Sequence, residues 1–281
     1  MADRVPRHQA LKHRLSDGGI LLVPSVYDAL SARLAARAGF EAVIVGGYSV
    51  AASRMGAPDV GLLGLSEMTD HTGRIADAVP IHVFADGDTG YGGDESVLRT
   101  IHDHAKAGAS AVMIEDQTWP KRCGHMEGKG VVTREEAVAR VRAAVRARDG
   151  LGLEVLILAR TDARGPEGFD EAMWRMAAFA DAGADILFLE APVDEREMES
   201  FAGAFHPPTM ANMLDGGVTP ILAPERLSAM GFSLVVYGTS VLGAAAWSVD
   251  RALKAIQAGT FPEDVYPHGD LIQVLGFGED G

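Results

Sequence analysis

Residues 106–116 read Lys106-Ala107-Gly108-Ala109-Ser110-Ala111-Val112-Met113-Ile114-Glu115-Asp116. A helix closes at Ala107 on the glycine that typically follows a helix end. A short apolar strand follows and stops on two acids. The same unit (helix, Ala-Gly, two or three residues, apolar run) recurs at Arg37-Ala38-Gly39-Phe40 and Asp181-Ala182-Gly183-Ala184. Working outward, apolar runs fall at 20–24, 42–46, 81–85, 111–114, 155–159, 186–190, 209–213 and 234–238. They are continuous rather than alternating, the pattern of parallel strands buried on both faces. Helices are predicted over 27–38, 95–107, 133–148, 169–182, 194–205, 224–230 and 240–258. The fourth residue of Thr133-Arg134-Glu135-Glu136 completes a capping-box signature.

Eight strands alternating with helices over about 250 residues predict a (β/α)₈ TIM barrel. A doubly wound open sheet is the other arrangement of such units. No Pro/Gly/Ser linker or compositional break divides the chain, so residues 1–281 are expected to form a single domain. Residues 1–19 are expected to cap the barrel bottom with a short helix. Residues 260–281 form an irregular tail with one helical turn near 271–275.

Of the 281 residues, 47% are hydrophobic and 23% charged, and the formal net charge is −14. That is ample for a core and argues against disorder. Without a basic patch, nucleic acid is not an expected partner. No apolar window is long enough to span a bilayer, so no membrane role is expected. The single cysteine cannot form an internal disulfide, and residues 1–8 lack a signal-peptide apolar region. Both suggest a cytoplasmic location.

Barrel chemistry gathers at the C-terminal ends of strands, and the residues there are polar. Gly46-Gly47-Tyr48-Ser49 follows the second run and reads as a loop able to cradle a carboxylate through backbone N–H groups. Asp86-Gly87-Asp88-Thr89-Gly90-Tyr91-Gly92 follows the third. Its carboxylates, without nearby His or Cys, suit Mg²⁺ or Mn²⁺ rather than zinc. Glu115-Asp116 follows the fourth and Arg160-Thr161-Asp162 the fifth. Arg160 is suited to bidentate grip of a carboxylate or phosphate, or to an internal ion pair with Glu190 or Asp162. Glu190, Asn212 and Tyr237-Gly238 end the remaining runs. Histidines 82, 102 and 104 fall inside strand or helix segments and are read as surface or packing residues.

The lone cysteine lies in Trp119-Pro120-Lys121-Arg122-Cys123-Gly124-His125. A thiol among Lys, Arg and His can be stabilised as a thiolate and exchange a proton near neutral pH.

These motifs resemble the isocitrate lyase / phosphoenolpyruvate mutase superfamily. The resemblance is carried by residues 86–92, Glu115-Asp116-Gln117, residues 120–125, Ala159-Arg160-Thr161-Asp162-Ala163, Ala211-Asn212-Met213 and Gly216-Gly217-Val218-Thr219-Pro220, and it runs from about 24 to 259. It implies a barrel in a homotetramer with the last helix exchanged between neighbours, although the tail is short for the family. It implies Mg²⁺ held directly by Asp86, with Asp59, Asp88 and Glu115 around it through water. Arg160 corresponds to a substrate-carboxylate arginine, and Gly47, Tyr48 and Ser49 to the loop that binds the other carboxylate end. Lys121, Cys123, Gly124 and His125 correspond to a gating loop over 118–131. Glu190 and Asn212 match further substrate-site residues.

The Lys-x-Cys-Gly-His loop is similar to that of C–C lyases, in which the cysteine protonates the departing carbon. The details look most like the 2,3-dimethylmalate lyase and petal-death-protein group, with 2-methylisocitrate lyase further off. The implied activity is cleavage of a 2-hydroxy di- or tricarboxylate to a 2-keto acid and a small acid, with Tyr48 or a carboxylate-held water as base. Carboxyphosphonoenolpyruvate phosphonomutase chemistry stays open, because that enzyme shares the loop. So does oxaloacetate decarboxylation or hydrolysis, although Gly238 stands where oxaloacetate hydrolases place Ser.

Overall fold

A computed structural model describes residues 7–126 and 128–276. The outer parts of the expected terminal segments, residues 1–6 and 277–281, lie outside the described residues. Eight parallel strands close into a barrel in chain order: β1 (Leu21–Val26), β2 (Ala42–Val45), β3 (His82–Asp86), β4 (Ala111–Glu115), β5 (Leu156–Thr161), β6 (Ile186–Leu189), β7 (Thr209–Asn212) and β8 (Leu234–Tyr237). β1 pairs with β8 through Leu21↔Leu234, which shuts the ring and excludes the open sheet.

The surrounding helices are α1 (Arg7–Ser16), α2 (Ala29–Arg37), α3 (Gly47–Met55), α4 (Leu65–Ala78), α5 (Asp94–Lys106), α6 (Arg134–Gly150), α7 (Arg164–Glu167), α8 (Phe169–Asp181), α9 (Glu195–Ala202), α10 (Pro224–Met230), α11 (Ser240–Gln257) and α12 (His268–Val274). Thr133 caps α6 by accepting from the Glu136 N–H at 3.3 Å. The other half of the expected capping box, a bond from Glu136 back to Thr133, is not among its cap interactions.

Strand alternation divides the core in two. Leu21 and Val23, Ala42 and Ile44, Leu156 and Leu158, and Leu234 and Val236 fill the barrel interior. Intervening residues such as Val43, Val45 and Val83 pack outward against helices. That two-sided burial is why the strands read as unbroken apolar runs. Leu11 and Leu15 of α1 join the interior cluster. Chemistry is left to the opposite mouth.

Candidate active site

The same alternation places the polar side chains. On successive strands the interior sequence runs from Phe84 to Asp86, Met113 to Glu115, Leu158 to Arg160, Phe188 to Glu190 and Met210 to Asn212. Each apolar interior residue is followed, two positions on, by a functional one, because side chains two apart share a face. All five line one cavity of about 90 Å³ at the C-terminal mouth, together with Gly47, Tyr48, Ser49, Asp59 and Lys121 to His125. Of the candidate residues, Asp88 alone is absent from the cavity wall. It lies buried behind it.

Asp86 is fixed by two backbone donors: Gly47 N–H to Oδ2 at 2.9 Å and Asp88 N–H to Oδ1 at 3.0 Å. Tyr91, which sequence reasoning left out, donates its hydroxyl to Asp88 Oδ2 at 2.8 Å. The Lys121 ammonium sits 2.7 Å from Asp59 Oδ1 and 2.6 Å from Asp88 Oδ1. Burial opposes its charge, but Asp88, Asp86, Glu115 and Asp59 outweigh that and hold it well above the usual lysine value. Asp59 and Asp88, expected to face a metal through water, here grip the lid lysine. Glu115 Oε1 is buried without a hydrogen-bond partner among the described residues.

Donors on this side are all hard oxygens, one of them orphaned, and they fit a Mg²⁺-sized cation. Among the described residues no three His, Cys, Asp or Glu side chains are placed to hold one ion together. Magnesium commonly keeps several waters and is held through one or two carboxylates rather than an all-protein cage.

Gly46-Gly47-Tyr48-Ser49 is not a loop. It opens α3, with Gly46 as N-cap. The Gly47 N–H, expected to bind a carboxylate, is already spent on Asp86. The Tyr48 and Ser49 N–H groups remain at the helix start, an anion site by geometry and dipole. A Cβ at Gly47 would come within 2.9 Å of Lys121 Nζ and 3.3 Å of Asp86 Oδ2, so a side chain there would displace the ammonium from its place. Tyr48 borders the cavity with 43% of its surface exposed.

Arg160 makes the internal ion pair that its sequence position allowed, with Asp162 as partner. Its Nε and Nη2 donate to Asp162 at 2.8 and 3.0 Å, while the side chain still borders the cavity. Glu115 and Glu190 lie 3.5 and 3.8 Å from it. Glu190 also approaches His125 Nε2 at 2.6 Å and accepts from Asn212 at 3.3 Å. Burial works to raise the Glu190 pKa, but Arg160 and His125 prevail and hold it below the carboxylate norm. Asp162 is anchored from behind: its N–H donates to Asp116, which is paired with Arg175 of α8 at 3.0 Å.

The cysteine loop lies down over the mouth. Besides the contacts of Lys121 and His125, Lys129 donates to the Gly124 carbonyl and to Asp162. A side chain at Gly124 would strike the Arg160 guanidinium and Glu190. Cys123 borders the cavity, half-buried. Burial raises its thiol pKa and outweighs the opposing pull of the His125 backbone N–H and Arg160. The neighbouring cations therefore do not outweigh burial at the sulfur. Lys121 and Arg160 are committed to carboxylates, and the sulfur keeps its proton.

Comparison with known proteins agrees with this architecture. A family model described as phosphoenolpyruvate phosphomutase matches residues 11–257. The 2,3-dimethylmalate lyase of Eubacterium barkeri is 41% identical over 230 residues, covering 82% of this chain and 79% of that protein. The petal death protein of Dianthus caryophyllus is 41% identical over 257 residues, covering 90% and 80%. A crystal structure of 2,3-dimethylmalate lyase superposes with a TM-score of 0.93 at 34% identity, covering 98% of this chain and 93% of the other. An oxaloacetate acetylhydrolase bound to 3,3-difluorooxalacetate also reaches 0.93 at 34% identity, covering 96% and 93%. The chain belongs to the phosphoenolpyruvate mutase / isocitrate lyase superfamily and is an enzyme of its lyase and mutase class.

Proposed function

We propose that this enzyme cleaves the C2–C3 bond of a 2-hydroxy carboxylate bearing a further carboxylate on C3, releasing a 2-keto acid and a small carboxylic acid. The observation that carries the reading is that the Cys123 thiol lines one cavity with Arg160 and the Asp86/Glu115 oxygens, where burial raises its pKa. Asp86, with Glu115 nearby, would hold Mg²⁺. When bound, that ion supplies Lewis-acid stabilisation of negative oxygen at the keto-acid end. The Tyr48 and Ser49 N–H groups orient one carboxylate and Arg160 the other. The hydroxyl proton leaves to a carboxylate-held water or to Tyr48. The C2–C3 electron pair passes to the departing acid as an enediolate, and the Cys123 S–H protonates its carbon. The loop over the mouth excludes water from that intermediate. A neighbour that hydrolyses oxaloacetate shares the fold, but Gly238 offers no hydroxyl on this cavity wall.

The test is a screen of 2-hydroxy di- and tricarboxylates with and without Mg²⁺, following 2-keto acid through coupled NADH oxidation. Mg²⁺-dependent keto-acid release is expected. Its absence with every member, alongside a new phosphorus NMR signal from a phosphonate substrate, would move the assignment to P–C chemistry.

The proposal extends to assembly as a homotetramer that exchanges α11, in the cytoplasm. No residue of α11 is buried, and Trp247, Leu253 and Ile256 are 67%, 61% and 60% exposed. A helix so apolar and so exposed is the kind of surface that marks a protein interface. No helix among the described residues is long and apolar enough to cross a membrane.

A further inference from the structure

We infer that Gln117 is a positioning residue for Cys123: its side-chain amide, hooked onto the backbone of Arg122, sets where the thiol stands in the mouth. This rests on the role proposed for Cys123 and adds a residue from behind the site. Gln117 is buried and lies outside the cavity lining. Its Oε1 accepts from the Arg122 N–H at 2.9 Å, and its Nε2 donates to the Arg122 carbonyl at 2.9 Å. A side-chain amide offers a donor and an acceptor side by side and so matches both backbone groups of one residue. Together the two bonds fix the peptide planes on either side of Arg122. The second of those planes carries Cys123.

The hook hangs from a fixed base. Arg140 of α6 donates to the Gln117 carbonyl at 2.8 Å and to the Glu115 carbonyl at 3.2 Å. Gln117 forms an antiparallel bridge with Val131. On either side of that bridge the Thr118 N–H donates to the Gly130 carbonyl and the Val132 N–H to the Asp116 carbonyl, both at 2.9 Å. The neck of the cysteine loop is thereby closed and tied to β4 and α6. Other functional side chains of the loop have anchors of their own. Lys121 pairs with Asp59 and Asp88, His125 with Glu190 and Lys129 with Asp162. Cys123 is placed through its backbone. The Arg122 peptide precedes it, and its carbonyl accepts from the Met126 N–H at 2.9 Å in the turn that follows. Gln117 therefore links the residue beside the thiol directly to the barrel. An error of about 1 Å in such a placement can cost about a hundredfold in rate.

The experiment places Q117M in the purified enzyme with Mg²⁺, alone and together with C123S. Methionine keeps the length of the side chain and loses both bonds. On a 2-hydroxy acid that the wild type cleaves, kcat is expected to fall about thirty- to a hundredfold and KM to change less than about threefold. With C123S already present, Q117M should cost less than about threefold more, because the acid it places is gone. An equal cost in both backgrounds overturns the inference and makes Gln117 a structural staple only. Alkylation of Cys123 by iodoacetamide in the free enzyme should run about threefold faster or more in Q117M, since the loosened thiol leaves its half-buried position. An unchanged alkylation rate or an unchanged kcat overturns the inference and leaves the lyase reading intact. If the wild type cleaves no 2-hydroxy acid, the lyase reading falls, and the alkylation rate by itself decides whether Gln117 places the thiol. If Q117M does not fold, Q117N, whose amide is one methylene too short to reach Arg122, carries the same expectations.

Discussion

Lys129 Nζ donates to Asp162 Oδ1 at 2.9 Å, and the same oxygen accepts from Arg160 Nη2 at 3.0 Å. One buried carboxylate thus ties the cysteine loop to Arg160, the arginine proposed to orient substrate. Breaking the tie by K129M is expected to lower kcat about ten- to a hundredfold through misplacement, with KM changed less than about threefold. K129R should recover part of the loss. Faster alkylation of Cys123 in K129M with oxalate bound would report the loosened loop. Unchanged kcat would show the contact to be idle.

Cys123 is assigned the proton that completes cleavage. C123S should keep substrate affinity and lose about 10²- to 10⁴-fold in kcat, the usual worth of a positioned acid. Steady-state kinetics decide this, and near-wild-type turnover excludes the role.

Asp86 is the side chain best fixed to receive a metal. D86N should raise the Mg²⁺ concentration for half-maximal activity about tenfold or more. EDTA should abolish wild-type activity, and added Mg²⁺ or Mn²⁺ should restore it. A metal titration curve that the substitution leaves in place would disqualify Asp86.

His104 of α5 is fully buried, and burial lowers its pKa to about 4. The folded state resists a proton that the unfolded chain accepts below about 6.5. Stability from this residue is complete above that value and is lost as pH falls from about 6.5 toward about 4, by up to about 3 kcal/mol. Denaturant unfolding of wild type and H104L at pH 7, 6 and 5 checks this. The difference between them should shrink or reverse as pH falls, since both ring nitrogens lack hydrogen-bond partners among the described residues.

Trp247 and Leu253 on α11 should lie within the proposed tetramer interface. The double variant W247E/L253E is expected to give smaller species by light scattering after gel filtration. A wild-type monomer, or a tetramer indifferent to these changes, counts against exchange of α11.

Most of the fold, and the gathering of the candidate side chains at one mouth, could be read from the chain. The apolar runs placed the strands to within a residue or two. The C-terminal ends of those runs carried the reading to Asp86 and Arg160, whereas the alternation from Phe84 to Asp86 and from Leu158 to Arg160 is seen only in the barrel. The clearest misreading was Gly46-Gly47. Paired glycines are poor helix formers and suggest a turn, yet Gly46 is the N-cap and Gly47 the first residue of α3. Lys129 and Tyr91 carried no signal of their own. Lys129 finds its partner 33 residues away, and Tyr91 reaches Asp88 only through a left-handed turn, φ 57° at the tyrosine.

Sequence by itself indicated which residues meet at the barrel mouth, because the ends of eight repeated apolar runs are local signals. Tertiary structure decided what those residues are free to do. Lys121 and Arg160 are bound to carboxylates, the Gly47 N–H is spent, and Cys123 is buried enough to keep its proton. Charge state and availability depend on burial and on neighbours from distant strands, and only the folded barrel brings those together.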